Sequence, residues 1–438
     1  MPPSPEGLDG WLAHLEALHP RGSAGIELGL ERVAAVKARL VQRQTCPLIL
    51  VGGTNGKGST CAMLERILLV AGYRVGLYTS PHLLHYNERV RINGVAADDA
   101  SLCAAFARVE QARGAVALTY FEFGTLAAWE VFASAALDAI ILEVGLGGRL
   151  DATNVYQPDC AIVTGVDLDH MEFLGADREA IGREKAGIFR GGVPAICGDP
   201  QPPLSLIDHA RAIGARLQVM GVDFGYLRQE QQWLYWGRPA NESAKRGEDA
   251  TIRRGGLAFP ALRGKQQLAN AACALAALDA LRAHLPVAMK DIRQGLIQVE
   301  LAGRFQVLPG RPAVVLDVAH NPQAARALAA NLADMGLHRN TWAVFGMLAD
   351  KDIDSVIDAL HERVSHWLPS TLPGPRAASA DSLARRLRAR GMTVVGEFPS
   401  PAAALACAQE NAGEDDRILV FGSFLSVAAA LQELGRTR

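Results

Sequence analysis

The sequence predicts an α/β protein made of two successive open sheets, the first parallel-rich and carrying a phosphate loop, the second smaller. Three observations predict it. Short apolar runs rich in β-branched residues alternate with helical patterns along the chain. One of those runs, LILV, leads straight into the glycine-rich string GGTNGKGS and then into an apolar-periodic helix. A second alternation of the same kind begins near Gly303. With 438 residues the chain is longer than one hydrophobic core usually organises, and two domains are expected, 1–300 and 301–438.

In the first half, Leu48 to Val51, Arg74 to Tyr78, Ala139 to Val144, Ala161 to Thr164 and Val193 to Cys197 read as strands. Each is nearly continuous in apolar residues, as strands covered on both faces by helices must be. Ser59 to Ala71 is the helix that follows the glycine loop. Gly237 to Gly256 is polar with both signs of charge and reads as an exposed hairpin or loop. An alanine-rich helix follows from Leu268 to Leu281, and Pro286 breaks the pattern after it. The second half then alternates strand Ala313 to Val318, helix Gln323 to Met335, strand Trp342 to Phe345 and helix Ile353 to Val364. It continues with strand Thr393 to Gly396, helix Pro401 to Asn411, strand Arg417 to Phe421 and a last helix. Pro369 to Pro375 reads as one loop, and no tandem repeat is present.

Composition narrows the function. Hydrophobic residues make up 49% and charged residues 21%, an ordinary globular balance. A formal net charge of -2 gives no field to draw in a phosphate backbone or an anionic membrane, so neither nucleic acid nor membrane is expected as a partner. The seven cysteines are scattered without a CxxC pair, which fits reduced thiols in a cytoplasm. No signal-peptide pattern opens the chain, and no uncharged apolar stretch reaches the roughly 18 residues of a membrane span.

Between Gly52 and Ser59 the glycines sit where backbone N–H groups can converge on phosphate oxygens, with Lys57 reaching the β and γ phosphates. Thr54, Asn55, Gly56, Lys57, Gly58 and Ser59 are therefore the candidate nucleotide cradle, and ATP the expected nucleotide. The string is shorter than GxxxxGK[ST], and Gly58 stands where a magnesium-binding hydroxyl would follow the lysine. Another hydroxyl has to serve the metal. The structural alternative is a glycine-rich turn with no nucleotide.

GTNGKGS resembles the Mur ligase superfamily. Further motifs narrow the resemblance to its folylpolyglutamate synthase branch: YTSPHLLHYNERVRING, LTYFEFGT, ILEVGLGGRLDATN, GVDLDHMEFLG and IGREKAGIFR, then GRFQ, LDVAHNP, FGMLADKD and FGSF. They occur in order over nearly the whole chain. LTYF and RLDATN are similar to the bifunctional bacterial members that also accept dihydropteroate. The resemblance implies a Mur-ligase-type central domain with a Rossmann-like α/β domain after it.

It also implies a site. Ser80, Glu143 and His170 are the implied Mg²⁺ ligands, one or two ions, with K⁺ as a further candidate. Each follows or ends an apolar run, at the strand edge where open α/β sheets bind ligands. A surface ion pair for Glu143 and a purely structural role for His170 remain alternatives. Lys185 is implied to be carbamylated, which would turn a cation repelled by magnesium into an anion able to help hold it. Carbamylation needs the neutral amine, and at pH 7 deprotonating a lysine of pKa about 10.4 costs roughly 4.6 kcal/mol. The alternative is an ordinary lysine paired with Glu184 or Glu179. Lys57, Lys185 and His170 are the implied catalytic set.

Ile26, Glu27 and Leu28, with Thr119, Tyr120, Phe121, Leu150, Asp151 and Ala152, are implied to line a dihydropteroate pocket. A flat pterin suits an aromatic face, for which Phe121 is the candidate, and a bidentate acceptor, for which Asp151 is the candidate. Core packing for Phe121 and a turn or cap for Asp151 stay open. The string Gly145 to Arg149 is not GxGxxG and reads as a flexible loop over the site. Asn270, Arg304 and Asp317 are implied to contact ATP, while His320 is as well explained by capping the helix near Pro322.

The implied reaction is attack of a substrate carboxylate on the γ-phosphate of ATP, giving an acyl phosphate and ADP, followed by displacement of phosphate by the amine of L-glutamate. The acceptors would be dihydropteroate, dihydrofolate or tetrahydrofolates, and the enzyme a monomer. Two rivals are a cell-wall Mur ligase, which would need a domain ahead of the loop at Gly52, and a regulatory NTPase with a partner-binding second domain.

Overall fold

The computed structural model describes residues 5–19, 26–40, 45–238 and 251–436. All five strands expected in the first half form, because their side chains are covered on both faces: Leu48, Ile49, Leu50 and Val51 are each fully buried. Strands are numbered along the chain as β1 (Leu48–Gly52), β2 (Val75–Tyr78), β3 (Val90–Ile92), β4 (Val95–Ala96), β5 (Ala139–Glu143), β6 (Cys160–Val163), β7 (Pro194–Cys197) and β8 (Arg216–Val219). They make one sheet in the order β4-β3-β2-β5-β1-β6-β7-β8. The six from β2 to β8 run parallel, and β3 and β4 join one end antiparallel.

β1 lies between β5 and β6, with the chain passing to β2 on one side and to β7 and β8 on the other. The carboxyl ends of β1, β5 and β6 therefore border the crevice where strand order reverses, the usual ligand site of such sheets. The helices of this unit are α1 (Gly7–Leu18), α2 (Glu31–Lys37), α3 (Lys57–Val70), α4 (Asp99–Arg113), α5 (Tyr120–Ala133), α6 (Met171–Leu174), α7 (Arg178–Ala186), α8 (Leu204–Ala212), α9 (Gln266–Ala280) and α10 (Met289–Gln298). Leu48 and Leu50 share a core with Phe106 of α4 and with Phe123 and Trp129 of α5. A separate antiparallel sheet is made by β9 (Phe224–Arg228), β10 (Trp233–Gly237) and β11 (Ile252–Leu257). The stretch expected as a loop from Gly237 to Gly256 thus ends in strands on both sides, while 239–250 lies outside the described residues.

The chain divides into two units, Met1–Ala261 with Leu268–Val299, and Leu262–Gln267 with Glu300–Arg438. The second contains β12 (Gln306–Leu308), β13 (Ala313–Leu316), β14 (Thr341–Phe345), β15 (His366–Pro369) and β16 (Arg417–Phe421) in the order β12-β13-β16-β14-β15. Only β12 is antiparallel. Its helices are α11 (Pro322–Asp334), α12 (Ile353–Leu360), α13 (Ala380–Ala389), α14 (Pro401–Asn411) and α15 (Phe424–Glu433). Two expectations need correction. Thr393 to Gly396 is not a regular strand: it touches β15 through one isolated bridge at Trp367–Val394, and a second, Ser370–Phe398, lies just beyond both segments. The true outer strand is β15, and Pro369, expected in a loop, ends it.

Candidate active site

The loop after β1 requires glycine at two points. Gly53 has φ +138° and Gly56 φ +88°; a Cβ would fall 2.0 Å from Thr164 Oγ1 at the first and 2.3 Å from Asn270 Oδ1 at the second. The loop is stitched to the segment that leaves β6. Thr54 N donates to Gly165 O (2.9 Å), Thr54 Oγ1 donates to Asp167 O (3.1 Å) and accepts from Asp167 N (3.0 Å), and Thr164 Oγ1 donates to Asn55 O (2.6 Å). Lys57 Nζ folds back onto Gly53 O and Thr54 O at 3.0 and 3.2 Å. α3 starts at Lys57, two residues before the sequence reading, so Lys57, Gly58 and Ser59 form its first turn with no side chain capping it. Such an end presents N–H groups and positive potential to an anion.

Glu143 ends β5 and is 4% exposed, which removes the surface ion-pair reading. Its carboxylate accepts from Ser80 N at 3.2 Å, so Ser80 and Glu143 lie side by side at the rim. His170 stands ahead of α6 in the left-handed region (φ +50°), its N donating to Asp169 Oδ1. Lys185 is 3% exposed on α7. Burial first, then the charge of Lys57, push its amine down to about 7, while Asp169 and Asp151 pull the other way. The pairings offered as its ordinary role are not made. Glu184 instead binds Arg149 Nη2 (2.8 Å), and Glu179 accepts from Leu204 N (3.1 Å) and Ser205 N (2.8 Å).

These residues suit a divalent cation. Among the described residues no three His, Cys, Asp or Glu side chains gather as ligands. The set Ser80, Glu143 and His170 contains just two such groups, so hydroxyl, carbamate and phosphate oxygens would have to complete it, and hard oxygens are what Mg²⁺ prefers. Cys61 on α3 lies under the same spot: its thiol is raised well above normal by burial and by Glu143, with Lys57 opposing.

The implied pterin residues come together through Arg32. It binds Glu27, whose carbonyl also accepts from Nη2 at 3.0 Å, and reaches Glu122 Oε1 on α5 at 3.0 Å. Gly29 N donates to Leu150 O, bringing the segment of Ile26, Glu27 and Leu28 to the loop of Leu150, Asp151 and Ala152. Thr119 caps α5 in a reciprocal box: its Oγ1 accepts from Glu122 N (3.2 Å) and its N donates to Glu122 Oε2 (2.8 Å). That box presents Tyr120 and Phe121 in the first turn. Phe121 lies 6.0 Å from the Tyr78 ring and against Gly145, where a Cβ would come within 2.5 Å of it.

Asp151 is buried and spends most of its acceptor capacity at home. Oδ2 accepts from Leu146 N (2.9 Å), and Oδ1 from Thr153 N (3.0 Å) and Thr153 Oγ1 (2.6 Å). It caps the short 3₁₀ turn Ala152–Val155, the alternative left open above, and burial raises its pKa. The Gly145 to Arg149 loop is pinned rather than free: Arg149 N donates to Glu184 O at 2.7 Å, and a Cβ on Gly148 would meet Glu184 O at 2.8 Å.

Asn270 belongs to the first unit and faces Gly56. In the second unit, Asp317 at the end of β13 accepts from Phe305 N (2.9 Å) and Ala319 N (2.8 Å), and burial pushes its carboxyl up to about 6 against the pull of those bonds and Arg304. Arg304 lies over the Phe424 ring at 5.0 Å. His320 does not cap α11. Asn321 does, accepting from Ala324 N at 2.9 Å, while His320 Nδ1 is bonded to Val318 O.

The sequence reading missed Thr164, Asp167 and Arg32. Asp167 meets the loop through its backbone N and O, which no side-chain pattern announces, whereas Thr164 carried a usable signal, a hydroxyl immediately after a buried strand. The T-x-x-E of Thr119 and Glu122 likewise announces a helix start.

Residues 51–278 match the Mur ligase middle domain, and 303–424 match the Mur ligase glutamate ligase domain. The dihydrofolate synthase/folylpolyglutamate synthase of Escherichia coli K12 is 44% identical over 438 residues, covering 100% of this chain and 98% of that protein. Among solved structures, E. coli FolC in complex with DHPP and ADP superposes with a TM-score of 0.90 at 44% identity, covering 99% of each chain. A bifunctional folylpolyglutamate synthase/dihydrofolate synthase with Mn, AMPPNP and L-glutamate bound superposes at 0.88 with 45% identity, again over 99% of each.

Proposed function

Because this chain belongs to the Mur ligase family, in its dihydrofolate synthase/folylpolyglutamate synthase branch, we propose specific roles for its residues in the ligation. The enzyme is an ATP-dependent ligase that adds L-glutamate to dihydropteroate, forming dihydrofolate, and further glutamates to reduced folates through an acyl phosphate. ATP and a divalent cation are required.

Residues 1–300 are proposed to carry the nucleotide and pterin sites and 301–438 to complete ATP binding through Arg304 and Asp317. The backbone of Thr54 to Ser59 takes the phosphates, Lys57 neutralises the terminal ones, and Asn270 lies beside Gly56 in reach of the same ligand. Ser80, Glu143, His170 and carbamylated Lys185 are the proposed metal set; bound Mg²⁺ supplies charge neutralisation on phosphate oxygens. Ile26 to Leu28, Thr119 to Phe121 and Leu150 to Ala152 hold the pterin end, so that the acceptor carboxylate attacks the γ-phosphorus and ADP leaves. The glutamate amine then attacks the acyl carbon, losing a proton as inorganic phosphate departs. We also assign the enzyme to the cytoplasm, in keeping with its seven free cysteines; among the described residues no helix is long and apolar enough to cross a membrane.

The observation that carries this reading is the buried Lys185 amine, brought down to about 7 by burial and by the charge of Lys57. A neutral amine is what carbon dioxide needs, and the cost expected for an ordinary lysine is largely removed by its surroundings. The test is ADP release with dihydropteroate or a tetrahydrofolate, with and without glutamate. Release that depends on both is expected. Equal release without either acceptor or glutamate would indicate the regulatory NTPase instead.

A further inference from the structure

Arg89 is a half-buried cation without a counter-charge. Several cations nearby are matched, Arg32 with Glu27 and Glu122, Arg91 with Glu65, Arg108 with Glu130, and Arg113 with Glu110, whereas Lys37 spends its charge on Val155 O at 2.8 Å and the Tyr156 ring. Arg89 makes one side-chain hydrogen bond, from Nε to His82 Nδ1 at 2.8 Å, and no ion pair among the described residues. Its guanidinium carbon lies 5.4 Å from the centroid of the Tyr86 ring and 5.5 Å from that of Tyr120. The nearest acid in sequence, Glu88, is committed elsewhere, accepting from the backbone N of Leu83, Leu84 and His85 at 2.7 Å each.

With Nε tied to His82 and the guanidinium carbon near two phenol rings, the two Nη groups remain as paired donors, in the fork arrangement that matches a carboxylate. The position is equally defined. Tyr120 belongs to the proposed pterin pocket, and Arg89 O accepts from Thr79 N at 2.9 Å, one residue before Ser80 at the reacting rim. The other charged groups near this patch are His85 and Glu88, which act on His82, and Glu16, which acts on Tyr120.

The two reactions of the enzyme differ in one chemical respect. Dihydropteroate has a single carboxylate, and it reacts. An acceptor that already carries glutamate has two at its end, one that reacts and one that stays idle beside it. We propose that Arg89 binds the idle carboxylate of glutamylated acceptors and so sets the preference of the enzyme between its two substrates. The assignment rests on the pterin pocket being where the acceptor sits.

The test compares kcat/KM for dihydropteroate and for tetrahydropteroylglutamate, by ADP release with L-glutamate, in wild type, Arg89→Met and Arg89→Lys. Arg89→Met should lose roughly 10- to 100-fold with the glutamylated acceptor, the worth of a charge-assisted bidentate contact, and roughly tenfold less with dihydropteroate. Arg89→Lys should fall between. In the wild type, converting the idle carboxylate of the acceptor to a carboxamide should cost the same factor, and Arg89→Met should be indifferent to that change. Equal losses on both acceptors would reduce Arg89 to a wall of the pocket and overturn the assignment. So would a wild type indifferent to the amide, a result that needs no variant to fold. Failure of the pocket reading itself is separable: Tyr120→Ala would then leave KM for dihydropteroate unchanged.

Discussion

Lys185 and Asp317 are both ionisable groups forced into apolar surroundings, and they answer in opposite directions. For Lys185, burial and Lys57 favour the neutral amine. If that amine is carbamylated and helps neutralise the transferring phosphoryl group, Lys185→Ala should lower ADP release roughly 10²- to 10³-fold, the usual loss when one preorganised charge is removed from such a centre. A Lys185→Ala enzyme with full kcat would leave the carbamate without a purpose. For Asp317, burial raises the carboxyl from 3.8 to about 6, so between those values the folded protein holds a proton that the unfolded chain releases. Stability contributed at this site is therefore present at low pH and lost as pH rises through that window. Asp317→Asn should gain on wild type from pH 4 to pH 7 by on the order of 1–3 kcal/mol, read as the change in the difference between their urea unfolding curves. At this scale the sequence names groups and not their partners. Glu143 could be placed because a carboxylate closing an apolar run has few other uses. The engagement of Glu184 with Arg149, of Asp151 with Leu146 and Thr153, and the capping by Asn321 in place of His320 depend on contacts that no local pattern encodes.

Among the elements, the phosphate loop was the most legible, because strand, glycines and helix together leave little freedom, and its neighbours were the least. The loop keeps its shape through Thr164 and Asp167, which lie more than a hundred residues further along the chain. Thr164→Val preserves shape and removes the hydroxyl that meets Asn55 O. It should cost about 1–2 kcal/mol in stability and weaken ATP-analogue affinity, checked by thermal melting and titration calorimetry. Gly53→Ala should do worse, since its side chain would collide with Thr164 as well as strain the backbone. Likewise Thr119→Ala should cost α5 about 1 kcal/mol by loss of its cap, with KM for dihydropteroate rising as Tyr120 and Phe121 lose their anchor; a stability loss with KM unchanged would separate the cap from the pocket. Thr393 to Gly396 was misjudged for a physical reason. A strand at the rim of a sheet has one partner only, so the β-rich composition of TVVG is not enough to complete a ladder.

For the whole molecule, alternation of strand and helix gave both sheets, but strand order came only with the coordinates, since β1 sits between β5 and β6 although the chain visits them far apart. Ligand linkage should be visible at this scale. A non-hydrolysable ATP analogue with Mg²⁺ at a hundred times its Kd should stabilise the fold by about 2.7 kcal/mol, seen as a rise in melting temperature. Chelation with EDTA should remove most of that rise and halt ADP release, and Mg²⁺ or Mn²⁺ should restore both. A rise unaffected by EDTA would mean that the phosphates bind without help from the Glu143 rim.

The pairing of Val51 with Glu143 has a bearing on how this scaffold tolerates change. Successive side chains of a strand alternate between faces, so sliding β5 by a single position against β1 would turn the carboxylate away and present Val144 in its stead. Insertions or deletions in connections on the opposite rim should accordingly pass with little effect on turnover, whereas one residue added within β5 should abolish it even if the protein still folds.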